Sequence, residues 1–170
     1  MNLHWQLHPY NPQSCKKRLL FDVALSVENM RDITNAAPLA LGTAVMDKPA
    51  ADIPLTEMRI QCRNLPHWDI VVRNPMGITC GDVFRVIHHE LSARLTDEER
   101  KLYVSERRRH AIMAAFEQRC KKDPMYDEYV RLRGLTRVDL LCGKTIFAGL
   151  VRAPDSDDYW LLELGQLQQH

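Results

Sequence analysis

Two short stretches whose alternate residues are apolar, EMRIQCR at 57–63 and YWLLELG at 159–165, stand on either side of a long run in which apolar residues recur at three- and four-residue steps. Alternation belongs to a strand with one buried face, and the longer period to a helix with one buried stripe. Strands before and after a helical insert define the α+β class, here a mostly antiparallel sheet of about six or seven strands with two or three helices inserted mid-chain.

Further strands are expected at LHWQLHP (3–9), where Leu3, Trp5 and Leu7 alternate with polar neighbours, and at RLLFDVAL (18–25), which is apolar enough to be more deeply buried. EMRIQCR and WDIVVRN (68–74) can pair as a hairpin across Asn64, Leu65 and Pro66, followed by a turn over Asn74, Pro75, Met76 and Gly77. The segment 34–56, rich in proline and small residues, reads as a long surface loop.

Thr79 opens the helical run, because its hydroxyl can cap the free amides of a first turn while Asp82 sits three residues on at the positive end of the dipole. Val83, Phe84, Ile87, Leu91 and Leu95 make one apolar stripe, so the helix is expected to end near Leu95. Thr96 and Glu99 repeat the capping pattern and start a second run with Leu102, Val104, Ile112, Ala115, Phe116 and Cys120 as buried positions. The polar residues at 105–109 can split it in two, and Pro124 marks its end.

In GLTRVDLLCGKTIFAGLV (134–151), Gly143 and Lys144 fit a two-residue hairpin loop, which sets Cys142 opposite Thr145 and Arg137 opposite Leu150. One sheet face then carries Val138, Leu140, Cys142, Phe147 and Val151, and the other carries Arg137, Asp139, Leu141, Ile146, Leu150 and Arg152. YWLLELG adds a third strand to this meander.

A chain of 170 residues suits one domain, residues 1–170, with a sizeable core. It has no apolar run able to span a bilayer and no leader pattern, so a cytoplasmic protein with no membrane association is expected. Five scattered cysteines, Cys15, Cys62, Cys80, Cys120 and Cys142, contain no C-x-x-C pair and point to free thiols rather than a disulfide framework or a zinc ribbon. A formal charge of +1 carries no overall signature of nucleic-acid binding.

The blocks HWQLHP, WDIVVRNP before ITCGDVFRVIHHELSARLT, RRRHAIMAAFEQRC, GLTRVDLLCGKTIFAGL and YWLLELG occur in that order between Leu3 and Gly165. In this order they resemble a family of small uncharacterised proteins from mushroom-forming fungi, a domain of unknown function. The resemblance implies a single compact domain and transfers neither a reaction nor a catalytic residue.

Candidate sites therefore come from the residues themselves. Arg137 and Asp139 share a sheet face and read either as an ion pair packed beside a helix, with Arg152 or an arginine of the helical section, or as a carboxylate kept for acid/base work by its apolar surroundings. The structural reading is preferred. His88 and His89, about 100° apart on a helix, cannot offer the i, i+4 pair of a zinc helix. His88 sits at the edge of the apolar stripe. Cys80, in the first helical turn, would have its thiol pKa lowered by the dipole, and could act as a nucleophile if His67 lies beside it. Arg107 and Arg108, with Arg109 and neighbouring cations, could meet phosphates, although Glu98, Glu99, Glu106 and Glu117 dilute them. Trp5, Trp68 and Phe147 could line a pocket. No cofactor and no metal are implied by any motif. The preferred reading is a binding or protein-interaction module for an unknown protein or small-molecule ligand. The alternatives are a small enzyme of specialised metabolism and a nucleic-acid or phosphate binder.

Overall fold

Two sheets organise the protein in a computed structural model that describes residues 1–9, 19–33, 37–122, 127–154, 156 and 159–166. The smaller sheet joins three two-residue strands, β1 (Leu19–Leu20), β2 (Arg31–Asp32) and β3 (Leu39–Ala40), in that order. A single helical turn, α1 (Thr43–Met46), follows. The larger sheet holds β4 (Glu57–Cys62), β5 (Leu65–Arg73), β6 (Ile146–Arg152) and β7 (Tyr159–Gly165) in the order β5-β4-β7-β6. Its pairings are antiparallel except at the centre, where β4 and β7 run parallel with Arg59 beside Tyr159 and Cys62 beside Leu162. Between the two hairpins lie α2 (Cys80–Leu91), α3 (Asp97–Tyr103), α4 (Glu106–Lys122) and α5 (Asp127–Arg133). The chain is α+β.

The alternation in β4 is obeyed: Met58, Ile60 and Cys62 are buried, while Glu57 and Arg59 face outward. β5 begins earlier than its pattern suggests, so Leu65 and Pro66 belong to the strand, and a register shift at Gln61 and Cys62 absorbs the tight turn. The turn after β5 closes with the Gly77 N–H on the Asn74 carbonyl at 3.1 Å.

Both capping boxes form. The Thr79 hydroxyl accepts from the Asp82 N–H at 3.1 Å and the Asp82 carboxylate accepts from the Thr79 N–H at 3.0 Å. Burial works to raise the Asp82 pKa, but the bonds from Thr79, Asn74 and Arg85 outweigh it and hold the carboxyl at about 2. Thr96 and Glu99 repeat the arrangement at 3.1 and 2.8 Å. Burial of Phe84 and Ile87 and contacts with β5 seat α2 on the larger sheet. Phe21, Phe84 and Phe147 form the middle of one continuous core, with ring centroids 5.4 to 6.1 Å apart.

Several expectations are corrected. LHWQLHP forms a 3-10 turn over Trp5–Leu7 rather than a strand, because the His4 side chain accepts from the Gln6 N–H and the chain curls locally. In RLLFDVAL only Leu19–Leu20 is a strand, with one further bridge from Asp22 to Ile146; Arg18 lies outside the described residues, as do Cys15 and Pro124. The segment 34–56 contains β3 and α1 and makes bridges from Pro49 to Thr79 and from Ala51 to Leu3; Thr34 to Ala36 are outside the described residues. α2 stops at Leu91, four residues early, and Leu95 reaches the core from an extended segment whose N–H donates to the Leu135 carbonyl at 3.0 Å. Leu102 is 73% exposed because α3 ends one residue later and turns that side outward.

The largest correction concerns Arg137–Leu141, which is a 3-10 helix and not a strand. The Asp139 carboxylate accepts the Thr136 N–H at 2.8 Å, a local bond that competes with any sheet ladder. Cys142 then adopts a left-handed conformation (φ 50°) and Gly143 another (φ 86°), which turn the chain into β6. The expected pairs of Cys142 with Thr145 and Arg137 with Leu150 do not form, and Ile146 is buried together with Phe147. The meander is the hairpin of β6 and β7 alone, and the outer side of β6 is met by residues 21–23: the Phe147 N–H donates to the Phe21 carbonyl at 2.9 Å.

Candidate functional site

Asp139 and Arg137, one residue apart on either side of Val138, point to different partners. Asp139 is 1% exposed and accepts two parallel bonds from Arg119 of α4, from Nε to Oδ1 and from Nη2 to Oδ2, both at 2.8 Å. Arg119 also donates to the Gly134 carbonyl at 3.1 Å. A bidentate pair of this kind satisfies both charges and ties α4 to the 3-10 helix. The cavity beside the pair holds about 40 Å³, water-sized rather than substrate-sized.

Arg137 instead reaches Glu90 of α2 at 3.1 Å and Glu99 of α3 at 3.6 Å, and its guanidinium lies 4.9 Å from the centre of the Trp68 ring. The Trp68 indole N–H donates to the same Glu99 carboxylate at 2.9 Å. The Thr96 backbone N–H and the Trp68 bond hold Glu99 below the usual carboxylate range, against the opposing effect of burial. Trp68 also meets Tyr103 edge-on, and His67 stacks on Tyr103 with centroids 4.6 Å apart. This cluster fastens α2 and α3 to β5.

His67 is thereby committed on the β5 surface to Trp68 and Tyr103, and no hydrogen bond joins it to Cys80. The Cys80 thiol is fully buried and directs its hydrogen toward the Pro49 carbonyl at 3.7 Å. Burial pushes its pKa up to about 12, opposite to the expected effect of the helix dipole, because removal from water dominates when no cation compensates. A thiol held this way stays protonated. Iodoacetamide at about pH 8 is expected to leave the Cys80 peptide unmodified in the folded protein and to label it fully in urea, read by peptide mass mapping.

Trp5, Trp68 and Phe147 do not meet. Trp5 is 52% exposed on the N-terminal 3-10 turn, Trp68 lies in the Arg137 cluster, and Phe147 is buried with Phe21 and Phe84. The basic helix is also divided: Arg107 is exposed, but Arg108 donates to the Leu140 carbonyl at 2.6 Å and Arg109 pairs with Glu106 at 2.9 Å. Among the described residues no group of histidines, cysteines and carboxylates could hold a metal ion, and no helix is long and apolar enough to cross a membrane.

His88 is the sequence candidate that the fold carries to a cleft. The turn Val27–Asn29, the C-terminal half of α2 and α5 enclose a concavity of about 310 Å³, and a more open one of about 560 Å³ adjoins it. His88, Ser92 and Arg133 border both. The His88 Nδ1 lies 3.0 Å from the Val23 carbonyl, which can only accept, so Nδ1 carries the hydrogen and Nε2 of the neutral ring keeps its lone pair. Ser92 Oγ is 3.2 Å from Nδ1 and 3.5 Å from Nε2. Arg131 pairs with Glu117 at 2.8 Å, whereas Arg133, exposed at the rim, makes no ion pair with any described residue.

A model of a family of unknown function, DUF6699, matches residues 19–158. The chain belongs to that family. The DUF6699 match takes in the turn before α2, all of α2 to α5 and the Arg119–Asp139 pair, so both the cleft and its buried support lie inside it. It ends just before β7. No curated protein and no solved structure matches the chain.

Within this DUF6699 domain the cleft draws on residues that sequence reasoning passed over, above all Tyr129, Val130 and Arg133 of α5. One signal was present: Gly134 takes φ 75° and its N–H returns to the Arg131 carbonyl at 3.0 Å, the mark of a glycine closing a helix. Chemically, the cleft offers a lone-pair acceptor on His88, a hydroxyl on Ser92 and a guanidinium on Arg133 against an apolar wall from Ala24 and Val130.

Proposed function

We propose that this domain is a binding module whose ligand occupies the cleft between the Val27–Asn29 turn, α2 and α5. The observation that carries this reading is the convergence of an imidazole oriented by a backbone carbonyl with an arginine that has no ion-pair partner among the described residues. Arg133 suits a carboxylate or phosphate oxygen, and His88 Nε2 suits a hydroxyl or amide donor on the same ligand. The Arg119–Asp139 pair supports the floor rather than reacting, since both members are already bonded to each other.

A fragment screen by protein-observed NMR tests the idea. Small hydroxy acids and phosphate monoesters are expected to shift the amides around His88, Ser92 and Arg133 together. Arg133→Ala should weaken the best of them about tenfold or more, the loss typical of a charged hydrogen bond. Hits scattered over other surfaces, or a cleft ligand indifferent to Arg133→Ala, would sink the reading.

The enzyme alternative draws on His88 as acid or base. Ser92 is poorly placed as an activated nucleophile, because the nearer ring nitrogen is committed to Val23 and cannot accept the Ser92 proton, while Nε2, which could, lies at 3.5 Å, the limit of hydrogen-bond reach. A nucleic-acid role would fall to Arg107 with neighbouring cations, and the occupation of Arg108 and Arg109 speaks for the cleft instead. Cys62, Cys80, Cys120 and Cys142, none of them in a disulfide, fit a reducing, cytoplasmic setting, and the sequence resemblance suggests a mushroom-forming fungus as its source.

A further inference from the structure

β5 closes one side of the larger sheet, and its hydrogen-bonding parity can be read from one bond. The Asn74 N–H donates to the Thr56 carbonyl at 3.0 Å, so Thr56 and Asn74 form a bonded pair. Bonded and non-bonded pairs alternate along an antiparallel ladder. Glu57 with Arg73, Arg59 with Val71 and Gln61 with Asp69 are therefore the non-bonded pairs, so Asp69, Val71 and Arg73 turn their N–H and C=O groups away from β4. Among the described residues no strand lies on that side and none makes a backbone bond to those groups. The side chains of the same three residues share the sheet face opposite buried Ile70 and Val72; Asp69 and Arg73 are exposed.

We propose that this edge pairs antiparallel with the same edge of a second copy of the chain, about a two-fold axis through Val71. Outward-pointing residues must face outward-pointing residues. Centring the pair on Ile70 sets Asp69 opposite valine, and centring on Val72 does the same to Arg73. Only the axis through Val71 places each Asp69 opposite Arg73 of the partner subunit, with two backbone bonds exchanged by each facing pair. Arg73 is held by Glu57 through Nε at 3.0 Å, which leaves its two terminal nitrogens for a second carboxylate. Beyond this segment Pro75 would face His67, and its missing N–H ends the ladder there. The opposite charges also select the arrangement: a parallel, in-register copy would set aspartate on aspartate and arginine on arginine, whereas the antiparallel one joins unlike charges at both ends.

Sedimentation velocity on the full chain across the micromolar range tests this. The native chain should dimerise. Asp69→Arg and Arg73→Asp, each alone, should raise the dimer dissociation constant about tenfold or more, since both facing pairs become repulsive. An equimolar mixture of the two variants should recover the dimer, because every facing pair is then again of opposite sign. Val71→Pro, which removes the N–H on the axis, should give a monomer, and its thermal unfolding midpoint shows that the chain is still folded. A native chain that stays monomeric, a dimer indifferent to the single reversals, or a mixture that stays dissociated would each overturn the proposal.

Discussion

Gly149→Ala is expected to cost about 3 to 5 kcal/mol of folding stability, a large part of what a domain of this size has. Gly149 sits in β6 at φ 127°, a region that side chains rarely adopt. A Cβ there would run into the Cα of Pro9 and lie 2.7 Å from the carbonyl carbon of His8. Both obstacles are backbone, so no rotamer change can relieve them, and the N-terminal segment would have to lift off the sheet. Gly143→Ala separates the two contributions. Gly143 also has a positive φ, 86°, but a Cβ at that position would meet nothing within 4 Å, so only the conformational cost of about 1 to 2 kcal/mol applies. Urea unfolding of both variants reads the difference directly. Equal losses at the two positions would show that the crossing of His8 and Pro9 over β6 is not a close one.

Removing either partner of the Arg119–Asp139 pair is expected to cost about 3 to 5 kcal/mol, because the remaining buried charge loses its bidentate counter-charge. Asp139→Ala takes both parallel bonds from a guanidinium that is 9% exposed, and Arg119→Met leaves a buried carboxylate with bonds from the Thr136 N–H and hydroxyl but without its paired cation. Replacing both, as Arg119→Met with Asp139→Leu, should cost less than either single change, since no charge is then orphaned. A double variant as unstable as the sum of the singles would mean that the two residues contribute independently, with no coupling between the charges, and would overturn this account of the pair. Chemical unfolding of the four proteins completes the cycle.

How much of this was legible in the sequence depends on whether a signal was local. Thr79 with Asp82 and Thr96 with Glu99 act within one helical turn, and both boxes stand where the spacing put them. The alternation of Met58, Ile60 and Cys62 likewise needs only its own strand. The stretch 137–142 failed for a physical reason: Val138, Leu140 and Cys142 alternate as a strand would, but a short acidic side chain three residues after Thr136 closed a tighter local structure first. The partner of Asp139 was foreseeable as an arginine of the helical section, yet nothing in spacing distinguishes Arg119 from its neighbours. That choice is made by the packing of α4 on the 3-10 helix. The cleft was the least legible part, since His88, Ser92 and Arg133 come together only through a helix that begins after Pro124, beyond the point where the helical pattern reads as ended. His88 alone was visible, as a histidine at the margin of an apolar stripe.

The parallel seam between β4 and β7 joins Arg59 to Tyr159, one hundred residues apart in the chain. During synthesis the first hairpin leaves the ribosome with its inner border bare and keeps it bare until β7 has followed, so the middle of the sheet is the last of its strand pairings to form. A product cut short before Tyr159 would leave the facing borders of β4 and β6 bare in addition to the outer edge of β5, three exposed templates for pairing with another chain in place of one.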